Sequence, residues 1–311
     1  MTTAPPTPRA CPTECLALGP DQVGESPVWD GQAQRLWWVD IDGRRIRQRQ
    51  WPHGALAEWA LPERVACIAL TEQADELVAA MESRIQHLRL LPGGAVQVLR
   101  TLAHITHPQP NMRFNDGRCD ASGRLWVGTM VMDMSLASPA GGLYCLDERG
   151  LSGPHVSGLI TPNGSGMSPD GRWMYLSDSH PQVQQVWRMP IDLDSGRLGE
   201  REPFIDFKPL PGRPDGAAVD ARGHYWICGN DAGMVHEFDP TGRWLQAHAV
   251  PFAKPAMCAF AGPDLSLLCV TSIVPGGVDP AQRGASGQLV GLSVGQQGRP
   301  EPRFTRFPRA A

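Results

Sequence analysis

Asp120-Ala-Ser-Gly-Arg-Leu-Trp-Val127 is a tight turn, opened by an Asp and closed by a Gly, that runs straight into an apolar strand. The same sentence recurs along the chain. Turns of this kind fall at Asp30-Gly31, Ala74-Asp75, Pro169-Asp-Gly171, Asp220-Ala-Arg-Gly223 and Gly262-Pro-Asp264. They precede the apolar runs Leu36-Trp-Trp-Val39, Leu77-Val-Ala-Ala80, Trp173-Met-Tyr-Leu176, Tyr225-Trp-Ile-Cys228 and Leu267-Leu-Cys-Val270. Measured from Asp to Asp, the spacings are 45, 45, 50, 50 and 44 residues. A strand–turn–strand unit repeated at such a period marks a propeller or solenoid.

Further segments fill out the unit. Gly142-Leu-Tyr-Cys-Leu146, Gln185-Val-Trp-Arg-Met189 and Met234-Val-His-Glu-Phe238 read as third strands of their blades, and helical periodicity is nearly absent. Glu14-Cys-Leu-Ala-Leu18 reads as a strand without partners of its own, and Gly287–Val294 supplies strand-like sequence at the other end. Joining the two in one blade closes a ring and removes the sheet edges. The expectation is an all-β, six-bladed β-propeller, its ring closed by the N-terminal strand joining the last blade. It occupies residues 13–311 as a single domain, behind a Pro/Thr-rich tail, residues 1–12, expected to be disordered.

Composition agrees. The 311 residues are 41% hydrophobic, with 34 Gly and 30 Pro, which suits a turn-rich all-β chain with a large core. The net charge of −4 and scattered basic residues exclude nucleic acid as a partner; the one basic run, Arg44-Arg45-Ile-Arg47-Gln-Arg49, reads as a solvated outer strand. The eight cysteines include no Cys-x-x-Cys pair, which argues against a zinc knuckle or thioredoxin-like site, and Cys228 and Cys269 read as small buried hydrophobes. No apolar run approaches the length of a membrane span and no signal peptide is visible, so a cytoplasmic setting and no membrane partner are expected.

Because the repeat is regular, it works as a ruler. Five residues before each turn Asp stand Glu25, Leu70, Asn115, Ser165, Asp215 and Ala259; seven before stand Val23, Ile68, Arg113, Asn163, Arg213 and Met257. On an extended strand the two offsets face the same side. If the strand before each turn is innermost, Glu25, Arg113 with Asn115, Asn163 and Asp215 point into the central channel. Buried charges must be paired or bind a metal. Glu, Asn and Asp offer only oxygen ligands, a set that suits Ca²⁺, Mg²⁺ or Mn²⁺ and also accommodates Zn²⁺. Three protein ligands leave positions open for water and substrate. No Gly-x-Ser-x-Gly elbow, His-Glu-x-x-His or Gly-rich phosphate loop competes, and none of the nine His falls at either inward offset.

Five motifs carry a family resemblance: Gly24-Glu-Ser-Pro-Val-Trp29, Arg113-Phe-Asn-Asp-Gly117, Gly123-Arg-Leu-Trp-Val-Gly-Thr-Met130, Pro162-Asn-Gly164 with Ser168-Pro-Asp-Gly171, and Pro214-Asp-Gly216. In that order the chain resembles the SMP-30/gluconolactonase/regucalcin family from about residue 15 onward. The resemblance implies a six-bladed propeller that hydrolyses sugar lactones with one divalent cation (calcium, zinc, manganese, magnesium or iron). It implies Glu25, Asn163 and Asp215 as metal ligands, Arg113 and Asn115 as the substrate-binding pair, and Asp215 also as general base. Asp133 stands where the family often carries a Glu that contacts sugar hydroxyls, so it is the matching sugar-reading candidate. The expected reaction is opening of an aldonolactone to its aldonic acid.

Each residue also has a structural alternative. Glu25 can satisfy backbone N–H groups. Asn115 and Asn163 can be turn formers, Asp215 sits in a Pro-Asp-Gly turn tripeptide, and Arg113 can pair with Asp116 or Asp120. Two other functions share the scaffold: another metal-dependent esterase, or a regucalcin-like calcium-binding protein without turnover. The Arg113/Asn115 pair favours the lactonase, because a calcium store needs no carbonyl reader.

Overall fold

In the computed structural model, which describes residues 7–309, six antiparallel sheets form the blades of a ring. Their innermost strands are Gly24–Asp30, Cys67–Leu70, Met112–Cys119, Pro162–Met167, Arg213–Val219 and Pro255–Ala261. Each innermost strand turns back into an apolar second strand: Arg35–Asp40, Glu76–Ala80, Leu125–Val131, Trp173–Asp178, Tyr225–Asn230 and Leu267–Ser272. We number the blades one to six in that order. Thr13–Ala17 is the outermost strand of blade six, with Cys15 opposite Val290, so the chain's two ends seal the ring. Residues 7–12, part of the expected tail, are described, and Arg9 bridges to His248 at the outer edge of blade five. The rest of that tail, 1–6, lies outside the described residues. The three helical segments found among the described residues are single 3₁₀ turns, and no helix is long and apolar enough to cross a membrane.

The repeated sentence has a physical cause. In blade three, Asp120 Oδ1 accepts the N–H groups of Ser122 (2.9 Å) and Arg124 (3.1 Å), and Oδ2 accepts Trp126 Nε1 at 3.0 Å. Blade five repeats this with Asp220, Arg222, His224 and Trp226, the last at 3.1 Å. One carboxylate therefore caps the turn and pins an indole whose ring is fully buried between sheets. Trp37 and Trp38 fill the same kind of space in blade one. The turn markers are not all equivalent, however. In blade four the residue placed like Asp120 is Ser168, not Asp170: Ser168 N donates to Trp173 O, and Gly171 N donates to Ser168 O, as Gly123 N donates to Asp120 O.

The basic run of blade one is not a solvated outer strand. Arg45–Gln50 is a third strand, flanked on its outer side by Leu56–Ala60. Arg47 is buried, bonds Asp21 at 2.7 Å and lies 5.3 Å from the Trp38 ring centre. Its alternation with apolar neighbours concealed a buried ion pair.

Beyond blade six the chain crosses the turn face of the ring. Ala221 N donates to Gln297 O, Gly298 N to Leu265 O, Phe304 N to Leu70 O, Thr305 N to Gly123 O and Arg309 N to Glu148 O. Arg303 reaches Asp30 of blade one. Phe304 is fully buried among Cys67, Phe114 and Cys119, and Glu301 meets Arg118 at 3.2 Å at that end of the channel. This strap ties blades one, two, three, five and six together.

Candidate functional site

The opposite end of the channel is open and holds a cavity of about 460 Å³. Glu25, Arg113, Asn115, Asn163 and Asp215 all line it, with Arg213 and Asn230. Val23, Ile41, Met130 and Ile273 form apolar wall. Small-molecule sites join apolar walls to a few convergent polar groups in this way. A second cavity, about 550 Å³, lies at the turn face under the strap and holds none of the expected site residues.

Three local features aim the site residues. The first is the corrected marker. Measured from Asp30, Asp120, Ser168 and Asp220, the residues five positions earlier are Glu25, Asn115, Asn163 and Asp215, one from each of four blades. Asn163 thus belongs to the same level as the others, and Thr161, not Asn163, matches Arg113. The second is a one-residue register shift beside every one of them: between Glu25 and Val28, Phe114 and Gly117, Asn163 and Gly166, and Pro214 and Ala217. Bulges of this kind bend a strand and redirect a side chain. The third is the glycine that follows. A Cβ at Gly216 would sit 2.4 Å from Met257 Cβ, and one at Gly164 would sit 2.6 Å from Tyr225 Oη. Glycine lets inner strands approach closely enough for their side chains to meet.

A hydrogen-bond relay crosses three blades. Arg113 Nη1 donates to Phe114 O (2.8 Å) and to Asn115 Oδ1 (2.5 Å). Asn115 Nδ2 donates to Asn163 Oδ1 and to Pro162 O, both at 2.8 Å. Asn163 Nδ2 donates to Ser179 Oγ at 2.7 Å, and Ser179 Oγ donates to Pro214 O at 2.6 Å. Next door, Asn230 Nδ2 donates to Asp215 Oδ2 at 2.7 Å and to Pro255 O at 3.2 Å. Side chains so bound hold one geometry before any ligand arrives.

Electrostatically the floor is frustrated. Burial pushes the Asp215 carboxyl up to about 7, against the lowering influence of Arg213 and the Asn230 bond, and Asp116 adds to the rise. Glu25 is driven well above the ordinary carboxylate range by burial, then by the charges of Asp215 and Asp116. Asp116 is itself raised by burial; Oδ2 accepts Ser165 N at 2.8 Å, while the buried Oδ1 has no partner. Three carboxylates raised by burial, Glu25 and Asp215 also by neighbouring carboxylate charge, with an orphaned oxygen on Asp116, suit a positive charge. Glu25, Asn163 and Asp215 offer oxygen donors at one level of the cavity, a set that fits a hard divalent cation.

Asp133 takes no part in this cavity. Its exposed carboxylate accepts Ser135 N (3.0 Å) and Ser135 Oγ (2.6 Å), capping the turn Met134–Leu136, and Met134 lines the wall instead. Asn230, Ser179 and Arg213 were not singled out from sequence. Arg213 stood on the ruler at the offset of Arg113. Asn230 lies ten residues after Asp220, as Asp40 lies ten after Asp30, so the ruler run forward reaches it. Asp220, His224 and Glu237 form a second buried cluster of potential ligands, with His224 Nδ1 and Glu237 Oε1 2.8 Å apart. Blade three has Asp120 and Arg124 where blade five has Asp220 and His224, and Cys145 where it has Glu237, which makes the cluster a variant of the turn lock.

The profile of the SMP-30/gluconolactonase/LRE-like region matches residues 23–274, a span that includes every site residue. The chain belongs to this family. Among SMP-30/gluconolactonase/LRE-like relatives, it is 34% identical over 260 residues to a 6-deoxy-6-sulfogluconolactonase of Pseudomonas putida, covering 83% of this chain and 86% of that one. It is 34% identical over 287 residues to a pentonolactonase of Haloferax volcanii, covering 90% and 94%. A calcium-binding protein, regucalcin, from Agrobacterium tumefaciens superposes with a TM-score of 0.88 at 28% identity, over 96% of this chain and 99% of that one. The architecture is thus the family's six-bladed propeller from end to end.

Proposed function

We propose that this chain is a sugar lactonase that works with one divalent cation and opens an aldonolactone to the aldonic acid. The observation that carries the proposal is the convergence of two mutually repelling carboxylates, half-buried Glu25 and buried Asp215, with Asn163 and the Arg113–Asn115 pair in one open cavity. The names of the two lactonase relatives support the substrate class.

Glu25, Asn163 and Asp215 would hold the cation, which supplies polarisation of the lactone carbonyl. Asp215 is fixed through Oδ2 by Asn230, leaving Oδ1 to take a proton from the attacking water. General-base help of this kind contributes about 10²–10⁴-fold. The water oxygen bonds to the carbonyl carbon, the ring C–O bond breaks, and the ring oxygen leaves as a hydroxyl with the proton. Arg113 is steadied on one side by Phe114 O and Asn115 Oδ1, and its remaining N–H groups donate to the lactone oxygens. Asn115 spends both amide hydrogens on Pro162 and Asn163, so it acts chiefly by positioning Arg113 and Asn163. Asp133 receives no sugar-reading role, because it does not line the cavity and Ser135 takes its Oδ1.

The test is acid release from a panel of aldonolactones, followed by a pH indicator, with and without EDTA, for the parent and Asp215→Asn. Turnover that EDTA abolishes and Asp215→Asn lowers at least 10²-fold is expected. A parent-like rate in Asp215→Asn would sink the assignment. Tight cation binding without acid release from any lactone would leave a cation-binding propeller instead.

A further inference from the structure

The cavity holds a second guanidinium that lactone opening does not use. Arg213 precedes Asp220 by seven residues, as Arg113 precedes Asp120, and both line the same space from blades five and three. Arg213 Nε bonds Asp231 Oδ2 at 2.8 Å and Nη2 bonds Asn230 Oδ1 at 3.1 Å, while Nη1 has no partner among the described residues. Lys254 Nζ lies on the other oxygen of Asp231. The Lys254 carbonyl accepts Ile273 N at 3.0 Å, and Ile273 is cavity wall, so the lysine is rooted at the cavity's mouth. Two cations therefore share one carboxylate.

The rim of blades one and two has the reverse balance. There Arg64 bridges Asp42 (2.7 Å) and Glu82 (3.2 Å), two carboxylates to one guanidinium. The mouth is polarised, positive on the blade five–six side. A purely structural role explains Arg213 poorly: Asp231 is 43% exposed and already has Lys254, so clamping it needs no guanidinium inside the cavity.

We propose that Arg213, with Lys254, receives an anionic group on the substrate, remote from the lactone carbonyl: a carboxylate, sulfonate or phosphate on the sugar's tail. The proposal rests on the lactonase reading of the site. With the carbonyl directed to the Glu25–Asn163–Asp215 floor, the tail extends toward the mouth. A guanidinium already fixed by Asp231 and Asn230 presents its outward N–H group to an oxyanion with little ordering left to do. Loss of one charge-assisted hydrogen bond there corresponds to about a 10- to 100-fold change.

The decisive quantity is a ratio, kcat/KM for a tailed lactone over kcat/KM for neutral glucono-1,5-lactone. The tailed probes are its 6-phosphate, its 6-sulfonate and the corresponding 6-carboxylate; their ranking identifies which anion fits. At least one ratio should exceed 10 in the parent, fall 10- to 100-fold in Arg213→Gln, fall less in Lys254→Gln, and shrink at high salt. Arg213→Lys should recover part of it. A second measurement needs no turnover: calorimetric binding of 6-phosphogluconate against gluconate in the parent and in Arg213→Gln, both loaded with calcium. Ratios that Arg213→Gln leaves unchanged, in rate and in binding, would overturn the proposal. Hydrolysis of neutral lactones with no preference for any tail would also overturn it while leaving the lactonase reading intact. A binding preference that Arg213→Gln removes, without turnover of any lactone, would uphold the anion site and reject the lactonase.

Discussion

Removing the cation should make the protein less stable as pH rises, the reverse of ordinary acid unfolding. The argument is one of proton linkage. In the unfolded chain the Asp215 carboxyl titrates near its ordinary 3.8; in the fold, burial lifts it to about 7. Between those values the folded protein holds a proton that the unfolded chain has released. Folding is then favoured at the acid end, and stability falls as pH rises through the window, levelling off above 7. The shift is roughly 3 pH units, worth about 4 kcal/mol at 1.36 kcal/mol each. Glu25, raised by burial and by the charges of Asp215 and Asp116, contributes a fall of the same sign. A bound divalent cation should cancel the effect, because it stabilises the ionised carboxylates. The assay is urea unfolding of EDTA-treated protein at pH 5 and pH 8, for the parent and Asp215→Asn. Only the part of the window from pH 5 to about 7 falls inside that interval, so the parent should lose about 3 kcal/mol more than the variant, a difference in Tm on the order of 5 °C. Added calcium should remove the difference between the two pH values in the parent. Equal pH dependence in the parent and Asp215→Asn, or an apo parent that gains stability toward pH 8, would refute the reasoning.

Asn230→Ala deletes the donor to Asp215 Oδ2 and should cost about 1–3 kcal/mol, and it should shift the alkaline-rising limb of kcat/KM to higher pH; an unshifted limb would mean that Asp215 does not set it. Phe304→Ala should cost about 3–5 kcal/mol by opening a hole in a buried cluster, measured by urea unfolding, while the cavity at the far end keeps its cation affinity. Asp133→Ala should leave sugar selectivity within twofold, since Asp133 does not line the cavity and its Oδ1 serves the Met134 turn; a larger change would return a sugar contact to it.

How much of this was legible in the sequence depended on which residues the repeat constrains. Asp30, Asp120 and Asp220 hold one structural place, so counting back from them reached Glu25, Asn115 and Asp215 at a common depth. In blade four the serine hydroxyl of Ser168 caps the strand and Asp170 sits inside the turn, hydrogen-bonded to that hydroxyl at 2.5 Å. Counting from the wrong carboxylate put Asn163 at a different offset, and only the second offset recovered it. Asn230 ends a second strand and Ser179 follows one directly, at far ends that the count did not follow. Asp133 lies outside the cavity lining, and Ser135, two residues on, takes its Oδ1, a local contact that a count along the repeat does not reveal. Arg47 failed because an apolar–charged alternation looks the same whether the charge meets water or a buried Asp21. The strap across residues 297–309 left no trace, since it pairs with turns one bond at a time and has no strand pattern to detect.

Sealing the ring with the chain's own two ends has a consequence in time. Cys15 faces Val290, so Thr13–Ala17 must wait for about 275 further residues to be made before its partner exists. Blade six lies between blades five and one, so Glu25 and Asp215 are not held across one cavity until that last blade is in place. A site that needs both carboxylates therefore cannot form before blade six is made. During the wait, Thr13–Ala17 is an unpaired edge, and a chain interrupted before residue 289 leaves it so permanently, open to the same strand of another copy.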